Sequence, residues 1–515
     1  MKILFPYFIA LFPVMFLFST NKREFVYSDL FLPIAVLLMM TYLMWKLFTF
    51  IFQDRGKAAI LASFITLCIF TYRNLFILSY RLINNAADFD SYKYQALFLV
   101  VWFAFLIVGV KFIQNKLKLT RNGNSFMTTF SLLLLLQNIS PLVLPRLKTA
   151  DTANMQKEAQ LVRSVIIDNK PDIYYIVVDA YGRDDILKRV YSYDNTPFTS
   201  LLKDRGFNIV VNSYSNFNKT YISIASSLNM DYASEINKSK NIKGEIGDYT
   251  EMIANNKVAS ILKQNGYSIV SFPSLDKTVG TVSADVYGLS KVIKNKLSQS
   301  LLEMTPLPMV RNYSTLKWQP SHGMLREHVL KIFDKLPGYA NDYSPKFVFA
   351  YIPIPHPPFI FDEYGNLTDY PVAGNYDGSH LYDYFSVSKE EYKSYYIDQL
   401  KFVNSKLIAV VDRILETEDQ QPVIIIQADH GPRSGWDWEE IEKTDLSEGF
   451  GILNAYYFPN VEEIPQDVSL TPVNTFRLLF NTYFGYDYEM LDTKIYYTDA
   501  FDSAFINVTD RLLTE

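Results

Sequence analysis

Two apolar runs in this chain end abruptly in residues that bind cations. In "PVIIIQADHG" (422–431) a β-branched stretch finishes in Asp429, His430 and Gly431, and in "DIYYIVVDAYG" (172–182) a similar stretch finishes in Asp179. A carboxylate at the carboxyl end of a buried strand points into a crevice, where oxygen and imidazole ligands satisfy a hard or borderline cation. The bland alternative for each aspartate is a cap on the following helix. Two strands ending this way, one with a histidine attached, favour a metal.

Two further stretches carry groups that act on a substrate. In "NFNKTYISIASSLNMDY" (216–232) Thr220 stands at the start of a helix, with Ala225, Ser226 and Ser227 one to two turns on. A helix N-terminus offers unpaired N–H groups and a positive dipole end to a phosphate or sulfate oxygen. A hydroxyl there is a poor nucleophile until a metal lowers its pKa. By spacing alone, Thr220 reads first as an N-cap. In "IPIPHPPFIFDEYGN" (352–366) His356 is flanked by three prolines that hold the ring still, which suits a general acid or a phosphate-binding donor. A structural histidine is the equal alternative. His322 in "QPSHGML" is a weak candidate for a substrate contact, and His328 and His380 read as surface residues. Arg433, Trp436 and Trp438 come soon after the Asp-His pair; they shape a cleft or, the blander expectation, form a packed surface loop.

The elements that must position these groups alternate. Strand candidates are 172–182, 267–272, 346–355, 422–431 and 450–459, several of them apolar on both faces, as strands covered by helices on both sides must be. Amphipathic stretches such as "REHVLKIFDKL" (326–336) and residues 390–415 fall between them. The pattern predicts a three-layer α/β/α domain with a mostly parallel sheet, whose ligands bind beyond the strands' carboxyl ends.

The first 145 residues obey different rules. Five segments, roughly 3–20, 30–52, 58–80, 94–112 and 125–145, are long and apolar enough for membrane helices of about 20 residues. The first lacks a small-x-small cleavage site and is followed by further spans, so it reads as a retained helix. Lys111, Lys116, Lys118 and Arg121 form the densest basic cluster near the membrane, against Lys22, Arg23, Arg73, Arg81 and Lys93 on the competing loops. Placing that cluster inside puts everything after residue 145 outside. The expected organisation is a transmembrane domain over 1–145, a polar juxtamembrane linker over 146–170 and an extracytoplasmic catalytic domain over 171–515. Over 515 residues the net charge is −5, which supplies no basic stripe for nucleic acid. The single cysteine, Cys68, excludes a disulfide framework and a cysteine metal site.

Taken in order, "IVVDAYG", "KTYISIASSLNM", "PHPPF" and "IIIQADHG" resemble the sulfatase-like branch of the alkaline phosphatase superfamily, and "TPVNTFRLLFNTYFG" (471–485) resembles the tail of such domains. Five spans ahead of that domain resemble lipoteichoic acid synthases and lipid A phosphoethanolamine transferases. The resemblance implies that Asp179 takes the place of the acidic metal ligand and Thr220 that of the threonine nucleophile, also a metal ligand. It implies that Asp429 and His430 are the paired ligands and that His356 contacts the transferred group or its leaving oxygen. The chain departs from sulfatases in lacking the C/S-x-P-x-R signature: the slot reads Thr220-Tyr221-Ile222-Ser223. It has Asp179-Ala180 where many relatives have two aspartates, and no histidine comes after His430. One divalent ion, manganese or zinc, is therefore expected.

The function these features imply is a metal-dependent transferase of the bacterial cytoplasmic membrane, its catalytic domain facing the periplasm or the outside. It would move phosphoglycerol or phosphoethanolamine from a phospholipid donor to an envelope glycan or lipid through a phospho-threonine. The rivals are a phosphodiester or sulfate-ester hydrolase at the same site, and a catalytically dead envelope scaffold. Retention of Asp179, Thr220, Asp429 and His430 together argues against the last.

Overall fold

The computed structural model describes the chain except residues 1, 21–26, 84–90, 144–169, 241–243, 245, 276–277, 282–283, 289–295, 308–319, 342–344, 371, 373–375, 386, 418–420, 462–463, 466–469, 500–504 and 514–515. The linker expected over 146–170 lies almost wholly outside the described residues. The chain divides into two compact units, Met1–Ala150 with Ile293–Trp318, and Asp151–Val292 with Gln319–Glu515.

The first unit contains α1 (Phe5–Thr20), α2 (Phe31–Phe52), α3 (Arg55–Ile83), α4 (Ser91–Lys116) and α5 (Arg121–Val143). Among the described residues three stretches, Phe31–Phe52, Arg55–Phe76 and Ala96–Lys116, are long and apolar enough to cross a membrane. The helix α1 is shorter, at 16 residues, and α5 begins with the polar run Arg121-Asn122-Gly123-Asn124-Ser125. At one end Ile3, Phe5 and Ile9 pack on Ala59, Leu119 and Met127. There Lys57 Nζ meets the Gln114 carbonyl at 2.7 Å, beside the Lys111–Arg121 basic cluster. At the other end Val14, Phe18 and Leu37 bury Leu297 and Leu301 of the short helix Lys296–Glu303. The basic residues gather at the first end, and a segment lying far along the chain after α5 packs at the other.

The second unit is built on a seven-stranded sheet of β1 (Ile173–Val178), β2 (Asn208–Ile209), β3 (Ser268–Phe272), β4 (Val286–Tyr287), β5 (Lys346–Ile352), β6 (Val423–Ala428) and β7 (Asn454–Tyr457), in the order β2-β7-β6-β1-β5-β3-β4. The five strands from β6 to β4 are parallel; β7 runs antiparallel to β6, and β2 antiparallel to β7. The strand expected over 450–459 is thus shorter and reversed: Leu446–Phe450 is helical and only Asn454–Tyr457 pairs.

Both faces of the sheet are covered, which is why β1, β5 and β6 are buried at every position. Tyr174, Ile176 and Val178 pack with Tyr396, Leu400, Val403 and Leu407 of helix Lys389–Thr417 and with Val329 and Ile332 of Pro320–Lys335. Ile173, Tyr175 and Val177 pack on the other face with Ile222, Ala225 and Leu228 of helix Thr220–Asn229 and with Phe476 and Phe480 of Pro472–Phe484. Alternation of side chains along each strand divides one apolar run between two cores. Each large apolar side chain so buried stabilises by about 1.5–3 kcal/mol.

The strands' starts are locked by Asp172, which is buried. Its carboxylate accepts from the Lys346 ammonium and backbone N–H, and its carbonyl accepts from Val423 N at 2.7 Å. With β1, β5 and β6 started together, Val178 pairs with both Ile352 and Ala428. Asp179 and Asp429 therefore leave the sheet at the same level.

Candidate active site

Asp179 and Asp429 each use one carboxylate oxygen to anchor themselves and aim the other inward. Asp179 Oδ2 accepts from the Tyr351 hydroxyl; Asp429 Oδ1 accepts from the N–H groups of Ala180 at 3.2 Å and His430 at 3.0 Å. The remaining oxygens, Asp179 Oδ1 and Asp429 Oδ2, are buried without a hydrogen-bond partner. They lie 3.4 and 3.7 Å from His430 Nε2. The Thr220 hydroxyl lies 3.3 Å from the same nitrogen and also reaches Asp429.

His430 Nδ1 is 2.9 Å from the Gly431 carbonyl oxygen, an acceptor only, so Nδ1 carries the proton and Nε2 presents a lone pair. Burial, then the Arg433 charge, push this imidazole down to about 3. Two carboxylate oxygens, a hydroxyl oxygen and an imidazole lone pair thus converge, and the Thr220 hydroxyl brings a single proton to the other three acceptors. Burial and the neighbouring Asp429 raise the Asp179 carboxyl, and burial raises Asp429. A cation removes that cost. Four ligands about 2.0–2.2 Å from one ion stand ~3.3–3.6 Å apart in a tetrahedron; the separations of 3.3 and 3.4 Å fall in that range and the third, 3.7 Å, lies just beyond it. The residues present therefore fit a divalent ion.

Gly431 is required by close approach: a Cβ there would sit 2.0 Å from the Glu448 carbonyl oxygen. Thr220 is the first residue of helix Thr220–Asn229, with Lys219 as the cap residue, so it is not itself the N-cap. It is half-buried, whereas Asp179, Asp429 and His430 are buried.

His356 joins the group from the loop after β5, its backbone N–H donating to the Asp179 carbonyl at 3.2 Å. A ring nitrogen of His356 lies within 4.8 Å of ligand atoms of Asp179 and His430. Its Nδ1 faces the Pro357 carbonyl at 2.7 Å and its Nε2 the Asp377 carboxylate at 3.2 Å. Burial opposes a charge here, but Asp179 and then Asp377 lift the imidazole to about 9. A ring engaged by acceptors at both nitrogens is a cation rather than a metal ligand.

The other candidates lie outside this convergence. His322 is buried on helix Pro320–Lys335 with Nε2 2.9 Å from the Val372 carbonyl oxygen. His328, expected at the surface, is buried against the Pro273 carbonyl, and His380 stacks on Trp438 at 5.5 Å. Arg433, Trp436 and Trp438 are not a surface loop: all three are buried. Arg433 pairs with Asp377 at 2.6 Å and donates to the Asn218 carbonyl, two residues before Thr220. Sequence reasoning missed Asp377 and Glu448. "NYDGSH" has no local pattern that marks Asp377, while Glu448 stands after Asp445 at the spacing of a helix cap.

The constellation stands at the carboxyl edge of a sheet covered by helices on both faces, a fold and site that together define an enzyme of the sulfatase-like class. The family model described as Sulfatase matches residues 171–454, more than half of the chain, and the chain belongs to that family. No curated protein matches by sequence. Solved structures similar to it include the zinc complex of the C-terminal periplasmic domain of EptC from Escherichia coli (12% identity, 66% of this chain and 93% of that one, TM-score 0.38). Another is the integral membrane lipooligosaccharide phosphoethanolamine transferase A of Neisseria meningitidis (14% identity, 88% of both chains, TM-score 0.35). A third is a phosphonate monoester hydrolase from Silicibacter pomeroyi (14% identity, 60% and 72%, TM-score 0.38).

Proposed function

We propose that the protein is a five-span enzyme of the bacterial cytoplasmic membrane that transfers phosphoglycerol or phosphoethanolamine from a phospholipid to an envelope glycan or lipid. Residues 1–145 anchor it, 146–170 link, and 171–515 form the outward catalytic domain. The observation that carries the reading is the convergence of Asp179, Asp429, His430 and the Thr220 hydroxyl on one point, with two carboxylate oxygens left unpartnered.

A manganese or zinc ion held by these four residues would favour the Thr220 alkoxide and draw charge from the phosphoryl oxygens. The Thr220 Oγ, its proton directed towards Asp429, attacks phosphorus; the Oγ–P bond forms and the bond from phosphorus to the diacylglycerol oxygen breaks. His356 Nε2 supplies the proton that this leaving oxygen needs. The acceptor hydroxyl then attacks the phospho-threonine, with His356 taking its proton; the bond from the acceptor oxygen to phosphorus forms, the Oγ–P bond breaks, and Thr220 Oγ recovers its proton from Asp429. Anchoring to the bilayer keeps the site beside a donor that never leaves it.

Intact-protein mass of the full-length chain in detergent, after incubation with manganese or zinc and candidate phospholipids, tests this. A mass gain on the wild type that Thr220→Ala lacks is the expected result, and its size names the transferred group. Cleavage of a chromogenic phosphodiester without an adduct would make the enzyme a hydrolase. Failure to bind either metal would sink both.

A further inference from the structure

Asp377 is the meeting point of three segments of the site. Its Oδ2 accepts from Arg433 Nη1 at 2.6 Å and lies 3.2 Å from His356 Nε2. Trp438 Nε1 donates to the Asp377 carbonyl at 3.1 Å and lies 3.2 Å from Oδ1. Arg433 carries the arrangement on to the nucleophile through the Asn218 carbonyl. Asn218 is itself fixed by Thr498, whose N–H and hydroxyl donate to its side chain at 2.8 and 2.9 Å. The guanidinium lies over Trp438 at 4.9 Å and Trp436 at 5.4 Å, so it cannot swing away without losing both rings.

The cluster is not a self-contained ion pair. A structural Arg–carboxylate pair is commonly a two-pronged fork; here a single Asp377 oxygen serves both Arg433 and His356. Arg433 is 4% exposed, yet its Nε–H has no partner. A buried donor left unmade costs about 1–3 kcal/mol, and it is retained beside the Thr220 turn, where a tetrahedral anion would supply the missing acceptor.

We propose that Asp377 is a positioning residue, holding Arg433 so that its unpartnered Nε–H grips the oxyanion that Thr220 attacks, and holding the His356 cation beside it. That this oxyanion is a phosphoryl group rather than a sulfuryl group rests on the proposed transferase function; the donors would serve either.

The test is calorimetric titration of the full-length, metal-loaded protein in detergent with inorganic phosphate and, separately, with sulfate. Metal content and melting temperature are measured alongside for wild type, Asp377→Asn, Asp377→Ala, Arg433→Lys and the Asp377→Asn/Arg433→Lys double variant. Asp377→Asn should bind phosphate about tenfold to a hundredfold more weakly at unchanged metal content. The loss in the double variant should fall short of the sum of the two single losses, because Asp377 acts in part through Arg433. Asp377→Ala leaves Arg433 unpaired and is expected to fold poorly, which is why the asparagine variant decides. Wild-type affinity in folded Asp377→Asn, additive losses in the double variant, or no oxyanion binding by the wild type would each overturn the proposal. Sulfate held more tightly than phosphate, with the same Asp377 dependence, would leave it standing and overturn the phosphoryl reading instead.

Discussion

The strands β1 and β6 lie side by side in register, both are buried on two faces, and both end in an aspartate with one oxygen left unpartnered. Beyond the aspartates the two segments differ. After Asp179 the chain turns through Ala180 at φ 58°, held by two side chains: Asp429 Oδ1 accepts from the Ala180 N–H at 3.2 Å, and the Tyr396 hydroxyl donates to the Ala180 carbonyl at 2.9 Å and accepts from Gly182 N at 3.2 Å. After Asp429 come a ligand nitrogen, a glycine pressed on the Glu448 backbone, and a loop that the Glu448 carboxylate pins through Tyr191, Ser434 and Gly435. One strand end delivers a single oxygen; the other delivers an oxygen, an imidazole and the segment bearing Arg433. The denser chemistry sits where the backbone is packed hardest, since a ligand held loosely forfeits geometry.

Removing each aspartate in turn should separate the two ends most sharply. Asp429 touches the Thr220 hydroxyl as well as the shared ligand point, so Asp429→Asn should lower phospholipid turnover at least about a thousandfold and abolish stoichiometric metal. Asp179→Asn should weaken metal binding and cost about a hundredfold in turnover, with the remaining ligands still in place. Elemental analysis and initial rates on the two variants check this. Equal losses would mean that the strand ends are equivalent; full metal and activity in Asp179→Asn would remove β1 from the site.

This asymmetry also marks what was legible in the sequence. Apolar runs announced β1, β5 and β6, and the polar residues that end the first and the last announced Asp179 and Asp429, because burial on two faces writes itself into consecutive residues. His430 came with its neighbour. Asp377 did not, since nothing in "NYDGSH" records that the fold brings it to His356 and Arg433. The burial of Arg433, Trp436 and Trp438 was likewise hidden, because it depends on packing partners such as Phe450 and Tyr497 that lie far along the chain. The strands β2 and β4 are two residues each and carry no periodicity. The grouping of Ile293–Trp318 with the N-terminal unit depends on Leu297 and Leu301, which form an ordinary amphipathic pair until their partners are known. Periodicity reports how deeply a segment is buried, not what it meets.

The pH dependence of the metal-free protein should carry the same asymmetry. His430 sits at about 3 against an ordinary 6.5, so between those values the unfolded chain binds a proton that the folded one refuses. Its contribution to stability is therefore lost as pH falls from 6.5 towards 3. Asp179 and Asp429 act oppositely: with carboxyls raised by burial, the folded form keeps protons that the unfolded chain has released, and stability falls as pH rises above the ordinary carboxylate range. In chelator, melting temperatures from about pH 4 to 7 should rise less with pH in His430→Asn and more in Asp179→Asn than in the wild type. For His430 the difference should be on the order of a few kcal/mol across the window. Parallel curves for all three proteins would refute the assignment of neutral His430.

The smallest effects test the packing contrast itself. Gly431→Ala drives a methyl into the Glu448 carbonyl, a backbone atom that has no rotamer to yield with, so destabilisation of about 1–3 kcal/mol is expected, with metal lost as His430 shifts. At the β1 end the corresponding change runs the other way. Ala180 already occupies the left-handed region, where alanine costs about 1–2 kcal/mol. Ala180→Gly relieves that strain but gives back about 0.5–1 kcal/mol through the freer unfolded chain. Its net effect on melting should be within about 1 kcal/mol, with metal content intact, because Ala180 contributes only a backbone N–H to Asp429 and glycine keeps it. A large loss of metal in Ala180→Gly would show that the β1 turn is as tightly specified as the β6 loop, and that Tyr396 and Asp429 do not by themselves hold it.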